Sequence, residues 1–152
     1  MSSTRPTLKV FLIGTDEEYK ASCFKQLASN IREGAQITGM MLGFSEHEDI
    51  TLQISSQSGQ QRFRTFMQTS VGSANIVLLC AKDTDELLRL SSATKEIKTP
   101  IAVVVNNNDT KTLAAEKGYS VVNINDPQGT CLAEIIRISR QSSSRLHPSP
   151  DR

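Results

Sequence analysis

The side chains with chemistry to offer fall in five short stretches, each directly after an apolar run: 14–20, 56–60, 82–84, 106–109 and 123–127. In the first, Asp16, Glu17 and Glu18 precede Lys20 where a helical pattern begins. Carboxylates suit the positive N-terminal end of a helix, and one of them can cap it. Lys20 is then either ion-paired with these acids or available to hold an anion. Asn106, Asn107, Asn108 and Asp109 form a run that serves turns and helix caps as readily as ligand contact. No metal centre is encoded: Cys23, Cys80 and Cys131 are far apart with no CxxC, and His47 and His147 stand alone. An odd cysteine count without metal spacing also argues against a disulfide framework and predicts a reduced, cytoplasmic chain.

These stretches need a scaffold that gathers strand ends. Residues 8–13 are an apolar run stopped by Gly14, the pattern of a strand buried on both faces. Residues 15–19 read as a loop, and Phe24, Leu27, Ala28 and Ile31 recur at helical spacing. Residues 37–44 predict a second strand; Ile50, Leu52 and Ile54 alternate in a third, joined to it across a turn at 46–49. A strand at 76–81, a helix carrying Leu87, Leu88, Leu90 and Ile97, and a β-branched strand at 101–105 behind Pro100 follow. A short helix at 112–117 is stopped by Gly118, then come a strand at 121–124 and a helix with Leu132, Ile135, Ile136 and Ile138. The alternation predicts an α/β chain with an open, mainly parallel sheet and ligands at the carboxyl ends of its strands.

A length of 152 residues suits one domain, placed at 8–140 between a disordered N-terminus, 1–7, and a disordered Ser/Pro/Arg tail, 141–152. Seventeen Lys and Arg against sixteen Asp and Glu leave a net charge of +1, with no electrostatic case for nucleic acid or a membrane surface. No apolar run approaches the roughly 20 residues of a membrane helix. The last residues, Pro150, Asp151 and Arg152, lack a prenylation cysteine, so no direct membrane anchor is expected.

The stretch 52–65 reads LQISSQSGQQRFRT. It resembles the Rab segment LQIWDTAGQERFRT, matching at Leu52, Gln53, Ile54, Gly59, Gln60 and from Arg62 through Thr65. Residues 9–14 are similar to the same family's first strand, and Asn106 to Asp109 fall where it carries NKxD. The chain thus resembles a Rab-like member of the Ras superfamily of small GTPases over 8–140. It has deletions after the first helix, between Asp85 and Thr99, and after Asp109. The resemblance implies a small-GTPase-like fold of the P-loop NTPase type, reduced in size: three layers and a mostly parallel sheet with one antiparallel strand. It further implies nucleotide contacts at Gly14, Lys20, Ser22, Gly59, Asn106 and Asp109, and Gln60 as the water-positioning catalytic residue. Arg62, Phe63 and Phe66 would be partner-binding residues of the second switch, with 36–44 beside them.

The departures from that family are chemical. A working phosphate loop is GxxxxGK[ST], in which backbone N–H groups wrap the phosphates, Lys reaches the outer two and the hydroxyl holds Mg²⁺. Here Tyr19 replaces the second glycine and Ala21 the hydroxyl, with Ser22 one place later. Each carboxylate of 16–18 about 8 Å from a phosphate charge would cost on the order of 2 kcal/mol at an effective dielectric of about 20. The DxxG acid has become Ser56, and Asn107 replaces the lysine of NKxD. The expectation is therefore a Rab-like pseudo-GTPase: a protein-interaction module with little or no hydrolysis, weak or absent nucleotide binding, and no cofactor. The alternative is an atypical GTP-binding protein of vesicle trafficking or signalling, turning over slowly with GTP/GDP and Mg²⁺. A phosphoacceptor receiver domain would also place acids after its first strand, but Ser56 and Asn106 stand nearest where it needs an Asp and a Lys.

Overall fold

The computed structural model describes residues 6–32, 40–57, 74–95 and 97–146. Along the chain run β1 (Thr7–Ile13), α1 (Glu17–Leu27), β2 (Asn30–Arg32), β3 (Met40–His47), β4 (Ile50–Gln57) and β5 (Ile76–Cys80). Then come α2 (Thr84–Ala93), β6 (Ile101–Val105), α3 (Asn108–Glu116), β7 (Ser120–Asn123) and α4 (Gln128–Leu146). The seven strands form one sheet in the order β2-β3-β4-β1-β5-β6-β7. β3 is antiparallel to both of its neighbours, while β4, β1, β5, β6 and β7 pair in parallel, so a single strand runs against the rest.

Strict alternation along the central strands divides the core in two. Val10, Leu12, Ile76, Leu78, Cys80, Ala102 and Val104 face one side, where Tyr19, Cys23, Phe24 and Leu27 of α1 and Cys131, Leu132 and Ile135 of α4 cover them. Phe11, Ile13, Val77, Leu79, Val103 and Val105 face the other, under Leu87 and Leu90 of α2 and Ala114 of α3. Each large aliphatic or aromatic side chain taken out of water here contributes about 1.5–3 kcal/mol before entropy is counted. The result is the α/β arrangement with a mainly parallel sheet expected from the alternating pattern, in the three layers the resemblance implies.

Several boundaries move, each for a local reason. Residues 17–19, expected in a loop, are helical because the Asp16 side chain accepts from the Tyr19 N–H and so starts α1 early. Ile31 belongs to β2, an edge strand not expected from the sequence, and is exposed. Ala28 leaves the helix in extended backbone, the Ser45 hydroxyl donates to the Leu27 carbonyl, and the Ser29 N–H turns to Phe44 and Ser45 of β3. The hairpin turn tightens to 48–49, with Glu48 in the left-handed region at φ 57°. α2 stops at Ala93, and Ile97 packs beyond it against the second core. Asn107 caps α3 at Asn108, earlier than expected, and Gly118 closes it at φ 89°. α4 continues to Leu146, into the segment expected as a tail.

Gly43 of β3 lies under α1: a Cβ there would stand 2.6 Å from Ala28 Cβ and 3.0 Å from Phe24 Cζ. Gly43→Ala is expected to destabilise the protein by about 1–3 kcal/mol through overpacking, read as a lower urea midpoint at unchanged m-value.

Candidate functional site

The site lies over the carboxyl ends of β1 and β5. α1 leaves β1 toward one face of the sheet and α2 leaves β5 toward the other, so adjacent parallel strands open a crevice between two helix starts, where ligands bind in such sheets. The connection from β1 is only Gly14, Thr15 and Asp16. Gly14 is needed for close packing, since a Cβ there would approach the Cys80 carbonyl to 3.2 Å and Cys80 Cβ to 3.3 Å.

Glu86, in the first turn of α2, fills this crevice. Its Oε2 accepts from the Thr15 N–H at 2.8 Å, the Thr15 hydroxyl at 2.8 Å and the Asp16 N–H at 3.1 Å; its Oε1 accepts from the Lys82 N–H at 3.0 Å. An ionised carboxylate has about four lone-pair directions, and here four donors meet it. The residue is only 2% exposed. Sequence reading missed it, although Asp83 and Glu86 have the spacing of a capping box, and Asp83 does accept from the Glu86 N–H. In a plain capping box the glutamate reaches back to the cap's own N–H. Here it reaches across to the neighbouring loop, which local pattern does not reveal.

Asp16 and Lys82 clamp the same crevice from outside, Nζ to Oδ2 at 2.7 Å. The Lys82 ammonium, with help from the Tyr19 N–H, holds the Asp16 carboxyl below its ordinary pKa, and Asp16 in turn raises that of Lys82. Tyr19 turns inward and its phenol donates to the Val104 carbonyl at 3.1 Å; burial pushes its pKa far up. Lys20 is buried beside it, its ammonium 3.4 Å from Glu17. Ser22 is on the exposed side of α1 with Glu18 and Lys25. Ser56 is buried at the end of β4, opposite Leu12 of β1 and Met41 of β3.

After β6 and β7, amides are spent on the chain itself. Asn107 caps Thr110 and donates to the Lys82 carbonyl at 2.9 Å; Asn125 donates to the Asn106 carbonyl at 3.2 Å. Asn106 and Asp109 are exposed, Asp109 in the first turn of α3. The structure therefore gathers Gly14, Lys20, Asn106 and Asp109 along one sheet edge but leaves Ser22 outside. Gly59, Gln60, Arg62, Phe63 and Phe66 lie outside the described residues. Among the described residues no group of His, Cys, Asp or Glu has the geometry to hold a metal ion. All three cysteines are buried; a hydrogen bond with Cys23 and burial raise the Cys80 thiol, and burial brings Cys131 to about 11.

Among solved structures, the chain superposes on the G domain of the FeoB iron transporter of T. maritima. The TM-score is 0.66 at 18% identity, over 90% of this chain and 99% of that domain. The fold is that of a G domain. The apo cytosolic domain of the same transporter also matches, with TM-score 0.66 at 19% identity over 88% of this chain. The chain spans 64% of that cytosolic domain's length. No family model and no curated protein matches the sequence. Within this fold, the loop between β1 and α1 donates its Thr15 and Asp16 N–H groups to the Glu86 side chain.

The Asp16–Lys82 pair carries a pH signature of known sign. A lowered Asp16 pKa contributes stability above the unfolded carboxylate range, lost as pH falls through the folded value. A raised Lys82 pKa contributes below its unfolded value, lost as pH rises through the folded one. Both contribute in full at neutrality. Lys82→Ala is expected to be slightly less stable than the parent at pH 7, with the difference vanishing in acid and shrinking in high salt, as measured by urea unfolding across pH.

Proposed function

We propose that this G-domain chain is a Rab-like pseudo-GTPase, a scaffold that recognises a protein partner rather than an enzyme that turns over GTP. One observation carries the reading: the backbone N–H groups that a phosphate loop offers to nucleotide are already spent inside the chain. Thr15 and Asp16 donate to Glu86, Tyr19 to the Asp16 side chain and Lys20 to the Asp16 carbonyl. The connection is three residues long because α1 starts at Glu17, and it lacks the second glycine of the GxxxxGK[ST] wrap. Ala21 offers no metal-binding hydroxyl, and Ser56 replaces the second acid. Mg²⁺ bridging of the outer phosphates, the largest charge stabilisation in phosphoryl transfer, would therefore lack its usual ligands.

The partner is a protein met through the switch-like face, 56–69 with 36–44, where Arg62, Phe63 and Phe66 are the anchors the resemblance implies. An Arg beside aromatics has the composition of an interface hot spot. No nucleic acid is invoked, since the net charge of +1 gives no basic field. No helix among the described residues is long and apolar enough to cross a membrane. A cytoplasmic setting is part of this reading, with any role at a membrane depending on a recruiting partner.

Protein purified without added nucleotide is expected to release no guanine nucleotide on acid treatment and chromatography. Isothermal titration with GTP or GDP and Mg²⁺ should show no binding at micromolar concentrations. Micromolar or tighter binding that requires Mg²⁺ would overturn the reading in favour of a slow GTP-binding enzyme.

A further inference from the structure

We propose that the crevice between β1 and β5 is an oxyanion site whose resident ligand is the chain's own Glu86, and that vacating it creates a site for a small free oxyanion such as formate or inorganic phosphate. The inference rests on the reading that the loop holds no nucleotide, and deepens it by naming what the loop holds instead.

Three features make this a ligand site rather than a buried salt-bridge residue. Its donors come from two separate connections, Thr15 and Asp16 after β1 and Lys82 after β5, and all converge on one carboxylate. Three of the four are backbone N–H groups, so their geometry is set by the sheet and does not depend on side-chain rotamers. None of the four is a charged side chain; the nearby Lys82 ammonium is committed to Asp16. Convergent uncharged donors of this kind recognise the shape of an oxyanion, carboxylate or phosphate alike. Thr15 is exposed and Asp16 half-buried, so the crevice abuts solvent once the Glu86 side chain is cut back.

Substitutions at Glu86 separate this role from simple space filling. Alanine is the best helix former, so Glu86→Ala leaves α2 and its Asp83 cap intact while emptying the site. Glu86→Gln keeps the volume but removes the charge and turns an N–H donor toward other N–H donors. Both variants of the full chain are expected to melt roughly 5–10 °C below the parent. Sodium formate, compared with sodium chloride at equal ionic strength, should raise the midpoint of Glu86→Ala in a saturable way, as a ligand specific to the native state does. Parent and Glu86→Gln, whose sites are filled, should not respond. Inorganic phosphate in the same series tests whether the site admits a tetrahedral anion.

Full tolerance of Glu86→Gln, or formate effects equal in all three proteins, would overturn the proposal. If Glu86→Ala does not fold, the amide proton resonances of Thr15, Asp16 and Lys82 in Glu86→Gln decide. An upfield shift at all three supports a charged acceptor, and unmoved resonances overturn it. Guanine nucleotide bound to the parent would sink the pseudo-GTPase reading. Absent formate rescue in a nucleotide-free, folded Glu86→Ala protein would sink the oxyanion site alone.

Discussion

Two helices leave the carboxyl edge of the sheet on opposite faces, and where they part the Glu86 carboxylate ties the loop after β1 to the loop after β5. This tie joins the connections that follow two adjacent strands. Parallel strands leave their connecting N–H groups converging at a crevice, and such groups need partners when shielded from water. Here the partner comes from the chain itself, in the first turn of a helix already anchored by Leu87 and Leu90 in the second core. The apolar burial that forms α2 therefore also delivers the anion.

The acids once met as a difficulty for triphosphate binding have ordinary structural work. Asp16 caps α1, Glu17 pairs with Lys20, and the three acids together complement the positive end of the helix. Lys82 answers Asp16 across the crevice. Tyr19 converts a position that needs glycine in a wrapped loop into a core residue, its ring among Cys23, Cys80 and Val104 and its hydroxyl satisfied by a backbone carbonyl. Asp16, Glu17 and Tyr19 thus each make a contact within the protein.

The central strands were legible because burial on both faces forces continuous apolar runs, as in Val10 to Ile13 and Ile76 to Cys80. Hydrophobic periodicity also located the helices, though their starts were misjudged wherever a polar side chain rather than an apolar residue set the boundary. Asp16 and Asn107 did this for α1 and α3. β2 escaped notice because a three-residue edge strand has no period to detect, and Ile31 mimicked the next turn of α1. Of the site, the loop stretches were visible but their contents were not. Glu86 was invisible because three of its four donors, on Thr15 and Asp16 across the crevice, are about seventy residues away in sequence. Asn106 and Asp109 were visible as candidate contacts, but not that the amides of Asn107 and Asn125 beside them are committed to the chain by long-range pairing.

Competition between Glu86 and a free nucleotide is decided by where each starts. A group in cis carries no translational cost of association, whereas a nucleotide meets that cost and must also displace the carboxylate. Hydrogen bonds to a charged acceptor contribute about 1.5–3 kcal/mol each. Releasing even two of the four without replacement puts the open loop near 4 kcal/mol above the filled one, a population of about one in a thousand. A ligand that binds only the open loop has its apparent affinity reduced by that fraction, so a nanomolar intrinsic site becomes about micromolar. In the pseudo-GTPase reading proposed above, repulsion from residues 16–18 and the lack of Mg²⁺ ligands act on top of this factor.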